Sequence, residues 1–171
     1  MRTKRLGICL AIIALAAARV SMSAQQPPVL RLPGAAERAV EPASLLGRHQ
    51  RDVRLEDTGG NSIVYHGVPL LEVLEKAGLD LKTMDGERKS AGQVVLASAR
   101  DGYTVVFSIG ELRANRSNPK VFLVAESSAG PLPENEGPVR LIVYGDRVRS
   151  AYGLARIELK TLADNPKPAT R

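Results

Sequence analysis

The sequence predicts an α+β fold made mostly of short β-strands with a few short helices. Three observations carry this expectation. Apolar residues alternate with period two in several short segments, turn residues separate those segments, and one segment has a clear helical apolar stripe.

Taken in order, Val29-Leu30-Arg31-Leu32 predicts a short edge strand inside a stretch made extended by Pro27, Pro28, Pro33 and Gly34. Glu41 to Leu46 predicts one or two helical turns ending near Gly47. Asp52 to Asp57 alternates as a half-buried strand does, Thr58-Gly59-Gly60-Asn61 is a hairpin signal, and Ser62 to His66 returns. The clearest helix begins at Pro69 and stops at Gly78, with Leu70, Leu71, Val73, Leu74 and Ala77 on one face. Lys82 to Gly92 is polar and contains Asp85-Gly86, which predicts a loop. Gln93 to Ser98 and Tyr103 to Ser108 predict a hairpin closed at Asp101-Gly102. A short helix from Ile109 to Ala114 follows, then strands at Val121 to Ala125, Val139 to Tyr144 and Ala155 to Leu162, with a loop from Gly130 to Pro138.

The ends read differently. Residues 1–23 have the pattern of a secretory signal peptide: Arg2, Lys4 and Arg5, then an uncharged apolar run from Leu6 to Ala18, then small residues ending at Ser23. That run is too short to span a bilayer, which takes about 20 apolar residues. The organisation expected is a signal peptide over 1–23, an extended segment over 24–40, one domain over 41–163, and a disordered tail over 164–171 rich in proline and polar residues. The address expected is periplasmic or secreted, by the general secretory route, with no membrane anchor after cleavage.

Cleavage changes the charge. The formal +6 includes Arg2, Lys4, Arg5 and Arg19, and without them 20 basic residues face 18 acidic ones. With no Trp, four Tyr and two Phe, the chain offers neither the basic surface nor the stacking platforms of a nucleic-acid binder. The one cysteine, Cys9, lies in the apolar run, so the mature chain would have no disulfide and no thiolate.

Few residues announce catalysis. No nucleophile elbow or phosphate loop is present. His49 and His66 are the only histidines and lack helical pairing, so a zinc site is not expected. Asp85/Glu87 and Glu134/Glu136 read as solvated loop carboxylates, and Asp101 as a turn residue. The basic residues near the end are more informative. Arg140 sits inside an apolar strand, where a charge needs a partner. Glu126 and the carbonyl-rich loop from Ser127 to Gly137 are the candidate partners. Arg147, Arg149 and Arg156 follow around the Gly145-Asp146 turn and form either an anion cradle or an ordinary solvated turn.

The ordered set His66-Gly67-Val68-Pro69-Leu70-Leu71, Asp101-Gly102-Tyr103, Pro131-Leu132-Pro133 and Glu136-Gly137-Pro138-Val139-Arg140-Leu141 resembles the oxidoreductase molybdopterin-binding domain family. The resemblance runs from about Leu30 to Leu162 and implies the sulfite-oxidase-like fold. It implies that Arg140, in the Gly-x-Pro-x-Arg strand, and a basic residue after the next turn, here Arg149, face a pterin. Arg147 is the third candidate for an anion or pterin-phosphate contact. Ser150 departs from the tryptophan usual at that place. The family's enzymes hold molybdenum through a cysteine thiolate, which a mature chain without cysteine does not supply. Cofactor-loaded members also leave the cytoplasm by the twin-arginine route, and Lys4-Arg5 is not a twin arginine. The resemblance therefore implies a non-catalytic, exported module for a small anion or a periplasmic protein partner. Such a module is expected to carry no cofactor when purified alone, although molybdopterin belongs to the family. The alternatives are an oxidoreductase subunit completed by a partner, and a structural exported protein.

Overall fold

The computed structural model describes residues 25–47, 49–56 and 59–162. The signal peptide and tail expected from the sequence lie outside the described residues. Among these residues ten strands form two sheets. β1 (Val29–Arg31), β2 (Arg38–Ala39), β5 (Gln93–Ala99), β6 (Thr104–Ser108) and β10 (Leu154–Thr161) make the first, in the order β2-β1-β10-β5-β6. β3 (Arg51–Glu56), β4 (Ser62–Pro69), β7 (Val121–Ser127), β8 (Gly130–Pro131) and β9 (Arg140–Val143) make the second. There β4 occupies one edge of β7, while β9 and β8 share the other. Every pairing is antiparallel except that of β1 with β10. The fold is the α+β class expected, with helices α1 (Leu70–Ala77), α2 (Met84–Ala91) and α3 (Ile109–Ala114) and a 3₁₀ turn over Pro42–Leu45.

Alternation along the strands sorts side chains between two cores. Val95, Ala97, Phe107 and Ile157 of the first sheet join Leu123, Leu141 and Val143 of the second in the main core. Leu70, Leu71 and Leu74 of α1, with Ile109 and Leu112 of α3, complete it. The intervening residues Phe122, Val124 and Ile142 face the other way and pack with Val53 and Tyr65 in a smaller cluster. β9 is therefore covered on both faces and all four of its residues are buried.

Several sequence expectations need correction. β1 is not an edge strand, because β2 pairs along its free side and leaves β2 at the edge. Pro69 ends β4 and caps α1 rather than occupying its first turn. Gly78 does stop the helix, at φ 120°, where its N–H reaches the Glu75 and Leu74 carbonyls. His66 lies within β4, not at its end. The polar run 82–92 is not a loop but contains α2. Its Asp-Gly pair falls in the first helical turn because Thr83 caps it, accepting from the Gly86 N–H at 3.0 Å. Asp80 in turn accepts from the Lys82 and Thr83 amides. A Cβ on Gly86 would lie 2.5 Å from Asp80 Cγ, so glycine is there for close approach and not for a turn. Arg113 of α3 binds Glu87, tying the polar helix to the body.

Leu74 is fully buried between α1 and the sheets. Leu74→Ala should lower stability by about 2–5 kcal/mol in urea denaturation, the range for a buried leucine truncated to a cavity. A loss below about 1 kcal/mol would show that the α1 stripe is not core.

Candidate functional site

Arg140 opens β9, opposite Val124 of β7, on the smaller cluster's side of the second sheet. It is 6% exposed. Its Nη1 donates to the Tyr65 hydroxyl and to Glu136 Oε2, each at 2.8 Å. The guanidinium lies 4.9 Å from the Tyr65 ring centre and 4.1 Å from that of Tyr152. The charge is thus met by one carboxylate, one hydroxyl and two π-faces. Nε is buried without a hydrogen-bond partner. Burial pushes the Tyr65 phenol above its ordinary range, with the Arg140 cation opposing.

The partner differs from the first expectation. Glu126 accepts instead from Gln50 Nε2 at 3.0 Å. The cause is a bulge: Gly67 pairs with Val124 but His66 with Glu126, so Ala125 is extra and Glu126 leaves the face that Val124 occupies. Glu136, expected to be a solvated turn residue, supplies the carboxylate from within the 127–137 loop. That loop is held to the first sheet, since Arg100 Nη1 donates to the Gly137 carbonyl at 3.0 Å and the Gly153 N–H to that of Glu136 at 2.8 Å.

The three candidate arginines do not converge. Arg140 and Arg147 line one cleft of about 760 Å³, together with Arg54, Tyr65, Tyr144 and Tyr152. Arg147 Nη2 donates to the Glu56 carbonyl, which pins the 144–152 loop to the β3–β4 hairpin. Arg149 lines the neighbouring cleft, where its Nε meets Asp146 and its Nη1 meets Glu111, both at 2.8 Å. The Arg149 hydrogen bond holds the Asp146 carboxyl below its ordinary range. Arg156 pairs with Glu37, away from both. Sequence reasoning missed Arg54 and the tyrosines. The signal available was that Tyr144 and Tyr152, two of the chain's four tyrosines, bracket the basic turn.

At the mouth of the cleft, Arg54 and Arg147 have no carboxylate partner among the described residues. The cleft thus combines exposed cations and tyrosines with the compensated Arg140–Glu136 ion pair in one lining. Residues 39–164 match the model of the oxidoreductase molybdopterin binding domain, and the chain belongs to that family. No curated protein matches the chain.

The family's cofactor has two chemistries, and the described residues fit only one. Arg54, Arg147 and the tyrosines suit an anionic, planar organic group. The metal is a different matter: residues 25–162 contain no cysteine, and no group of three or more His, Asp or Glu among the described residues is placed to hold a metal ion. No step is therefore assigned to molybdenum.

Removing one member of the buried pair should be costly. Arg140→Ala leaves Glu136 uncompensated and should lose about 3–5 kcal/mol, while Arg140→Met/Glu136→Met should lose markedly less. A double variant as unstable as the single one would count against the ion pair. Tyr65 adds a pH dependence. Because its folded pKa lies above the ordinary 10.0, the folded state keeps the phenol proton longer than the unfolded chain does. Its contribution is complete below that value and falls away as pH rises through the folded pKa. Alkaline melts should show this loss, reduced in Tyr65→Phe.

Proposed function

We propose that the chain is an exported binding module on the molybdopterin-binding scaffold, which takes a small anion into the Arg140 cleft and performs no redox chemistry by itself. The observation that carries this reading is the distribution of charge in the cleft. Arg140 is compensated and belongs to the scaffold, whereas Arg54 and Arg147 at the mouth form no ion pair among the described residues, with Glu56 the one carboxylate residue in the lining besides Glu136. An anion entering there joins two cations without breaking an existing ion pair. Export rests on the cationic start and short apolar run of residues 1–23. Among the described residues no helix is long and apolar enough to cross a membrane.

Family membership favours a second reading, an oxidoreductase subunit that receives its metal ligand from a partner protein. The two separate in one preparation. Protein purified from the periplasm should hold no stoichiometric molybdenum by elemental analysis. Phosphate or sulfate should raise its melting temperature, by about 2.7 kcal/mol of stabilisation at a hundredfold excess over Kd. Arg54→Gln/Arg147→Gln should remain folded and lose that response. Near-stoichiometric metal would instead promote the second reading, and a wild type indifferent to both anions would remove the first.

A further inference from the structure

We propose that the groove between the amino-terminal β1–β2 hairpin and α1 binds a free alkyl carboxylate, an anionic head on an unbranched apolar tail. The groove holds about 470 Å³, within the range of small-molecule sites. Its floor is made by Leu30, Val40, Leu45 and Val68, all buried, and its α1 wall by the partly buried Val73 and Ala77. The Val40 N–H closes the hairpin onto the Pro28 carbonyl at 2.8 Å, so the wall opposite α1 is fixed by backbone.

The charge at the rim selects the head group. Glu72, the one carboxylate lining the groove, is occupied: Arg51 stands 3.2 Å from it and His49 3.5 Å. Arg38 and Lys76 line the same groove, and neither has a carboxylate partner among the described residues. A cationic amphiphile would meet two uncompensated cations, and a neutral one would use only the floor. A carboxylate would join Arg38 and Lys76 in charge-assisted hydrogen bonds while its tail covers the apolar floor. The groove shares no lining residue with the Arg140 cleft. Leu30 and Arg38 also precede residue 39, where the family match begins, so this site is built partly from chain outside that match. It stands independently of the function proposed above.

Decanoate and decyltrimethylammonium, each below its micelle-forming concentration, and decanol, below its solubility limit, should be titrated into the whole protein by calorimetry, with methyl shifts followed by NMR. Saturable decanoate binding is expected, with shifts at Val68 and Val73. Affinity should be at least tenfold weaker in Arg38→Gln/Lys76→Gln, and Val73→Trp should block the groove. Arg38 and Lys76 are exposed, so the double variant should melt as the wild type does. If it does not, the comparison of the three head groups on the wild type still decides. No saturable decanoate binding, undiminished affinity in a folded double variant, or equal affinity for decanol or decyltrimethylammonium would overturn the proposal.

Discussion

A guanidinium taken out of water in a β-strand has to be compensated, and at Arg140 the compensation comes from three separate segments. Glu136 is in the loop before β9, Tyr65 is in β4, and Tyr152 lies beyond the basic turn. None of these is placed by its own secondary structure alone. The buried charge acts as a common anchor, and leaving it unpaired would cost several kcal/mol. The same loop is fastened from the first sheet through Arg100 and Gly153. The two sheets are therefore joined by apolar packing in the main core and by a polar linkage at the end where the cleft opens.

This division separates charges that build the protein from charges left to act. Arg140 is spent on the scaffold. Arg149 is also internal to the structure, clamped by Asp146 and Glu111 and lying 5.3 Å from the Phe107 ring centre. Arg147 holds its loop through a backbone carbonyl and has no ion-pair partner among the described residues. The two arginines of the basic turn, which look like one cluster in the sequence, therefore do different things, and only Arg147 lines the Arg140 cleft.

The strands were legible because a half-buried sheet imposes period two; β5 and β6 show that alternation in their burial. The α1 stripe was legible for the corresponding reason at period 3.6. What escaped depends on contacts between segments or on breaks in periodicity. α2 has no apolar stripe worth reading, and its Asp85-Gly86 pair carries the signature of a turn. Only the Asp80 and Thr83 caps show why it is a helix. Glu136 could not be told from its neighbour Glu134 by type or spacing. Glu126 was the better candidate on regular alternation, and one bulged residue, Ala125, removed it. The need for a partner at Arg140 was thus readable, while the partner's identity was not.

The cleft's own chemistry limits what could hold a ligand there. Arg54 and Arg147 are exposed, and exposed charges at ordinary ionic strength attract weakly and are screened within about 8–10 Å. Two such cations can choose the sign of a ligand but contribute little to its retention. Retention has to come from area removed from water, and the available area is aromatic: Tyr144 and Tyr152 are both more than half exposed. Tyr152 already uses one face on Arg140, so a planar ligand would have to lie against the remaining surface and extend the stack outward. A bare oxyanion would gain the charge contacts without the stacking. On the reading proposed above, an inorganic oxyanion would bind through the charge contacts alone, and an anion carried on a flat ring system would add the stacking, with salt weakening the charge contacts more than the stacking.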